Sequence, residues 1–285
     1  TMLGVEGSFA GLVDGQLREL AWGDVEGWTG MGGAELGTYR PSPSVEELYA
    51  IGRAIEKNDI HGLLVIGGWN GYQTLHLIEE ERRRYPAFQI PMIAIPASID
   101  NNLPGWELAI GADTALNVIV ESIDRIKQSA MAAKRCFVIE TMGRYCGYLA
   151  LVSGVAGGAE RVYLNETGVT LANLAHDVED MTESFRRGRK LFLAIRSEHA
   201  SGHYSTDFLA RLFEEEGGRL YDVRQVVLGH VQQGGNPSPF DRILATRLAS
   251  RSLDLLLSQF AHNSSQIGFI GRTEDGVDII PITRM

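Results

Sequence analysis

GLLVIGGWNG, residues 62–71, is the stretch on which the fold turns. Its first six positions are almost all apolar, which suits a strand buried on both faces. Two glycines close the run, and a helical stretch follows to about residue 84. The same unit recurs down the chain. Apolar runs at 91–96 (PMIAIP), 135–140 (RCFVIE), 161–164, 191–195 and 223–228 read as strands. The stretches 116–131, 145–155, 171–186, 206–215 and 240–260 read as helices; in the first of them Val118, Ile119, Ile123 and Ile126 recur at helical spacing. Strands alternating with helices predict an α/β fold of parallel sheets covered on both faces.

At 285 residues the chain has room for roughly two domains of ~150. Its 44% hydrophobic and 22% charged residues place it among globular proteins and exclude a disordered or collagen-like chain. The formal net charge of −10 argues against a nucleic-acid partner, though a few arginines can still converge on an anionic small molecule. Cys136 and Cys146 are too few for a disulfide framework and suit a reducing compartment. No apolar run reaches membrane-spanning length, so no membrane is expected. The first residues lack a signal-peptide pattern, which leaves a cytoplasmic location as the expectation. A chain that opens on Thr1 can also be a piece of a longer one.

Parallel α/β sheets bind ligands at the C-terminal ends of their strands. Four strand-end loops therefore matter. In 67–71, Gly68 and its neighbours can bring backbone N–H groups to a phosphate, or simply make a tight turn. In SIDNN (98–102), Asp100 can act as a general base beside Ser98, or close an Asx-turn. In 140–147, Arg144 stands between glycines at a strand-to-helix junction, which fits an anion or an ordinary capping turn. In GHVQQGG (229–235), His230 and the glutamines can bond sugar hydroxyls, or the histidine can be structural. The seven histidines show no metal-binding spacing, so no transition-metal site is expected. The run EEERRR (79–84) reads as a solvated helix face, Trp106 as packing, and Asp113 as a helix cap.

Four runs, SIDNNLPG (98–105), IGADTALN (110–117), ETMGRYCGYLAL (140–151) and LGHVQQGGNPSPFDRILATR (228–247), occur in the order and spacing of one family. The chain resembles the phosphofructokinases over nearly its whole length. The resemblance implies two α/β sandwich domains with the ligand site between them. Residues 1–110 would form the larger domain, 111–262 the smaller sugar-phosphate domain, and 263–285 a return to the larger. It implies phosphoryl transfer to the 1-hydroxyl of fructose 6-phosphate, with ATP and Mg²⁺ on the donor side. Asp100 would be the base; Arg144, Met142 and Gly143 would contact substrate and the transferring group. Glu198 would bond sugar hydroxyls, with Ser98 and His230 beside it. Arg135, Gln233 and Arg242 would lie near the 6-phosphate, Arg135 and Gln233 reaching into a neighbouring site, hence a homo-oligomer or a paired catalytic half. Arg40 would bridge the donor and acceptor phosphates.

The departures from the family pattern carry information too. Trp69 stands where active members have an aspartate that holds Mg²⁺, and an indole offers no anionic oxygen. Asn70 replaces a glycine associated with ATP use, Asn102 an aspartate, and Gln233 an arginine. The family's first strand and glycine-rich donor loop have no match ahead of Leu3, and its last helix none at the end. This combination is most similar to the C-terminal halves of tandem, eukaryotic-type phosphofructokinases, whose sites bind effectors. It implies a sugar-phosphate site kept for substrate or a fructose bisphosphate. A non-catalytic regulatory module and a pyrophosphate-dependent enzyme are the alternatives.

Overall fold

The computed structural model describes residues 1–130, 133–274 and 276–285. The chain begins with β1 (Leu3–Val5), α1 (Ser8–Val13), β2 (Leu17–Glu19), α2 (Val45–Lys57), β3 (Leu63–Gly67), α3 (Trp69–Glu81) and β4 (Met92–Pro96). It continues through α4 (Ala112–Ala130), β5 (Arg135–Thr141), α5 (Tyr148–Gly157), β6 (Arg161–Tyr163), α6 (Leu171–Arg186), β7 (Leu191–Ser197), α7 (Thr206–Gly217) and β8 (Asp222–Val227). It closes with α8 (Pro239–Ala261), β9 (Ile267–Thr273) and β10 (Gly276–Pro281). The expected helix end at Met131 lies outside the described residues.

Two compact units result. The first comprises residues 1–98, 103–111 and 236–285, the second 99–102 and 112–235. Helix α8 thus belongs with the first unit, whereas the sequence reading carried the smaller domain on to residue 262. Its Leu244, Leu248 and Leu256 pack on Ile93, Ile95 and Ile270 of the first unit's strands.

In the first unit the sheet order is β10-β9-β4-β3. Strands β3, β4 and β9 run parallel, and β10 returns antiparallel from β9. Period-two alternation sends Met92 and Ala94 to one face, against Leu48, Ile51 and Ile55 of α2 and Leu75 and Ile78 of α3. Ile93 and Ile95 go to the other face, under α8. Each such fully buried Ile, Leu or Phe contributes about 1.5–3 kcal/mol. Trp106 joins the α8 face, the packing role expected of it. Strand β3 departs from the expectation of burial on both faces. Among the described residues it pairs with β4 alone, and Ile66 is 66% exposed. Helix α3 brings a second difference. Arg82, expected on a solvated face, donates to the backbone carbonyl and hydroxyl of Ser265 and pairs with Glu79 at 3.3 Å. That guanidinium ties the helix to the connection ahead of β9, a long-range contact that no local charge pattern signals.

The second unit has an all-parallel sheet of order β6-β7-β5-β8. Cys136, Val138, Phe192 and Ala194 face α6 and α7 through Leu174, Phe185, Leu209 and Phe213. Phe137, Ile139, Leu193 and Ile195 face α4 and α5 through Ile119, Ile123 and Leu149. A parallel sheet with helices on both faces is the layout expected from the sequence. No described helix is long and apolar enough to cross a membrane.

Candidate functional site

Strands β5 and β7 are in register from Arg135 opposite Leu191 to Thr141 opposite Ser197, so they end level. The loops that follow them emerge side by side. Loop 142–147 is built around Gly143, whose φ of +121° is a conformation that side-chain-bearing residues rarely adopt. A Cβ there would run into the carbonyl oxygen of Cys146. The loop is held from several directions. Ser197 Oγ donates to Gly143 O at 2.7 Å, and Met142 N donates to Oε1 of the buried Gln232 at 3.1 Å. Glu198 N donates to Thr141 O at 2.9 Å, and Gly147 N, ahead of α5, donates to Glu166 Oε1 at 2.7 Å. Helix α5 therefore begins at Tyr148 rather than at 145 as expected. The residues between remain a loop that leaves Arg144 and Tyr145 exposed.

Asp100 sits in the turn after β4, in the 99–102 segment that belongs to the second unit. Asn101 beside it takes a left-handed φ of 51°, which asparagine tolerates better than most residues. Burial pushes the Asp100 carboxyl above its ordinary range; the Glu198 carboxylate adds to the rise and the Arg144 guanidinium opposes it. Asp100 thus lies near enough to Glu198 and to Arg144 to feel the charge of each. Burial likewise raises the Cys146 thiol; a hydrogen bond from the Tyr148 backbone opposes the rise, and Glu166 and Asp100 add to it.

His230 and Gln233 lie exposed in a short 3-10 helix, Gly229–Gln233, after β8. The Gln233 amide is 3.5 Å from the Met142 sulfur. Arg135 does not join this group. It opens β5, about 20 Å along the strand from Met142, and its Nη1 donates to Ser129 O at 3.0 Å. Sequence reasoning passed over His199, whose Nδ1 is 3.9 Å from Glu198 and whose ring centre is 5.7 Å from that of Tyr145. The signal was its place next to Glu198, which the family resemblance had already named.

The remaining expected residues belong to the first unit. Gly68 precedes α3, and Trp69, its first residue, is 41% exposed. The Asn70 amide donates to the backbone carbonyl of Arg40, which brings the 40s loop to the start of α3. Gly68 also faces Ser98, whose N donates to Ile110 O at 3.1 Å. Arg242, near the start of α8, donates from Nε to Pro237 O at 2.8 Å; the buried Asp241 beside it accepts from Gly111 N at 2.9 Å. The β3–α3 loop offers no carboxylate. No group of three or more His, Cys, Asp or Glu that could hold a metal ion occurs among the described residues. These residues do not fit Mg²⁺, which wants oxygen ligands and usually one or two carboxylates.

A family profile described as "Phosphofructokinase" matches residues 1–256. Among curated proteins, the ATP-dependent 6-phosphofructokinase of Dictyostelium discoideum is 44% identical over 288 residues, covering 100% of this chain and 34% of that protein. The platelet-type ATP-dependent 6-phosphofructokinase of Homo sapiens is 41% identical over 284 residues, covering 99% and 36%. The chain thus spans about a third of the length of the curated relatives it matches. Among solved structures, phosphofructokinase from Saccharomyces cerevisiae superposes with a TM-score of 0.94 at 36% identity, over 99% of this chain and 39% of that one. A pyrophosphate-dependent phosphofructokinase from Marinobacter aquaeolei, at 17% identity and a TM-score of 0.76, shares the fold. Motif order, fold and sequence identity converge, and the chain belongs to the phosphofructokinase family.

Proposed function

We propose that the chain is a sugar-phosphate-binding portion of an ATP-dependent 6-phosphofructokinase, its site accepting fructose 6-phosphate or a fructose bisphosphate effector. The grouping of Asp100, in the turn after β4, with Arg144 and Glu198, in the loops after β5 and β7, carries this reading. An exposed guanidinium fork suits a phosphate, because it can donate two parallel charge-assisted hydrogen bonds. The Glu198 carboxylate accepts hydrogen bonds from sugar hydroxyls. Asp100, with its carboxyl raised above the ordinary range by burial, suits a base that takes the proton of the 1-hydroxyl. Phosphoryl transfer needs positioned charge more than covalent chemistry.

The donor side supports binding over transfer for this portion. Trp69 and Asn70 stand at the strand end where the family reaction would place Mg²⁺ and the nucleotide, and neither supplies an anionic oxygen. Retention of Asp100 and Arg144 favours a second reading, an acceptor site completed by a donor loop from elsewhere in a longer protein. The placement of Arg135 at the far end of β5 supports a paired half or second copy, whose site it would serve. Two unpaired cysteines support a cytoplasmic location.

Calorimetric titration with fructose 6-phosphate, fructose 2,6-bisphosphate and MgATP, run beside a coupled turnover assay, tests this. Sugar-phosphate binding without MgATP binding or turnover is the expected result. Turnover by this chain would overturn the reading of binding without transfer, and absence of any sugar-phosphate binding would overturn both readings.

A further inference from the structure

Strand β7 reads LFLAIRS, and its face alternation would place an apolar residue at 196, in line with Phe192 and Ala194. It holds an arginine instead, 2% exposed. Directly across the ladder on β5, in line with Cys136 and Val138, stands Glu140. Arg196 Nη1 and Glu140 Oε2 are 2.6 Å apart. The same guanidinium donates to Glu198 O at 3.2 Å and to Ser201 O at 2.9 Å. The Thr206 hydroxyl, in the first turn of α7, donates to the same Glu140 oxygen.

As a stabiliser this arrangement is poor. Among the described residues, Arg196 Nε is buried without a hydrogen-bond partner. Two desolvated charges rarely outperform well-packed apolar residues of similar volume. What the ion pair supplies is geometry. A planar fork cannot turn without breaking several contacts at once. Here the fork grips both ends of the 198–201 turn and the end of the strand that leads into the Arg144 loop.

We propose that Arg196 is a positioning residue, which with Glu140 fixes the Glu198 turn against the 141–144 loop so that the carboxylate meets a bound sugar phosphate in one orientation. The inference rests on the sugar-phosphate reading above for its ligand. Its geometric half can be read without one.

The test uses the longer protein that contains this chain and the double substitution E140L/R196M, which removes both charges and leaves neither unpaired. The readouts are fructose 6-phosphate and fructose 2,6-bisphosphate affinity, the thermal midpoint, and hydrogen exchange of the 198–204 amides. The expected result is a midpoint close to wild type, at least tenfold weaker sugar-phosphate binding, and exchange accelerated at 198–204 alone. R196K should recover part of the affinity, since an ammonium can pair with Glu140 but cannot span both carbonyls. Unchanged affinity overturns the proposal, and so does exchange accelerated uniformly across the sheet, the mark of a merely structural role. If the wild-type protein binds neither sugar phosphate, the functional reading fails by itself. Exchange then decides the positioning claim: faster at 198–204 supports it and unchanged overturns it. Should the double variant not fold, R196K carries the test by the same criteria.

Discussion

The β3–α3 loop and the β5–α5 loop occupy equivalent places, each leaving the C-terminal end of a parallel strand for a helix, yet they are built differently. After β3 the helix begins at once, at Trp69, and the loop's side-chain tether is the Asn70 amide on the carbonyl of Arg40. After β5 the chain takes six residues to reach the helix. Gly143 is bent into a left-handed conformation, and Gln232, Ser197, Glu198 and Glu166 hold the loop from the flanking elements. The second loop carries an exposed arginine on a fixed backbone. The first presents an indole and no charge. Buried polar support of this kind has to be arranged, because each unpaired group costs free energy. Its presence around one loop supports the proposed ligand site there.

The sharpest way to break this contrast is Gly143→Ala. A methyl group at φ +121° meets the Cys146 carbonyl, so the loop must rearrange. We expect a loss of about 2–3 kcal/mol in urea unfolding and a fall in fructose-phosphate affinity on the order of 100-fold or more. Full affinity in this variant would mean that the backbone of 142–147 does not shape the site. Arg144→Ala is the cleaner probe, since the side chain is exposed. Losing one charge-assisted contact of about 1.5–3 kcal/mol weakens binding roughly 10–100-fold, while unfolding shifts by less than about 0.5 kcal/mol.

Asp100→Asn adds a pH signature. The folded-state carboxyl is raised, chiefly by burial and then by Glu198. Its ionisation therefore opposes folding: stability is fullest below the unfolded pKa of about 4 and falls as pH rises through the folded value. The asparagine variant should melt higher than wild type at about pH 7, and the gain should shrink toward about pH 4. An equal gain at both would remove charge as its cause. In a full-length active enzyme the same variant should lower kcat far more than it raises KM, if Asp100 is the base.

Much of this contrast was legible in the chain. Apolar runs such as 135–140 and 191–195 mark the parallel strands because a strand buried on both faces can hold little else. Asp100 and Arg144 could be singled out because strand ends are where such folds place ligands; Glu198 came only from the family resemblance. Helix α2 was passed over although Ser44 and Glu47 form a capping box, an N-terminal signal readable from sequence. The β9–β10 hairpin was missed because its glycines, at 268 and 271, interrupt the pattern; they are small so that Ile279 and Ile280 can lie close. Arg82 and Arg196 were illegible for a different reason. Each has a partner far off in sequence, Ser265 for Arg82 and Glu140 for Arg196, and periodicity cannot tell a tertiary tie from a surface charge.

The smallest effect we expect comes from Trp69→Asp, and it tests the loop without support. Position 69 opens α3 and is 41% exposed, so the indole leaves little packing behind. A carboxylate in a helix's first turn gains about 0.3–1 kcal/mol from the helix dipole, so unfolding should change by less than about 1 kcal/mol in either direction. The substitution supplies the residue type that the family resemblance implies for Mg²⁺, but one carboxylate on a loop tethered through Asn70 does not build an octahedral site. Neither MgATP binding by calorimetry nor coupled turnover should appear. Measurable ATP turnover from that single change would show that the first loop is as well organised as the second, with the missing charge its sole defect.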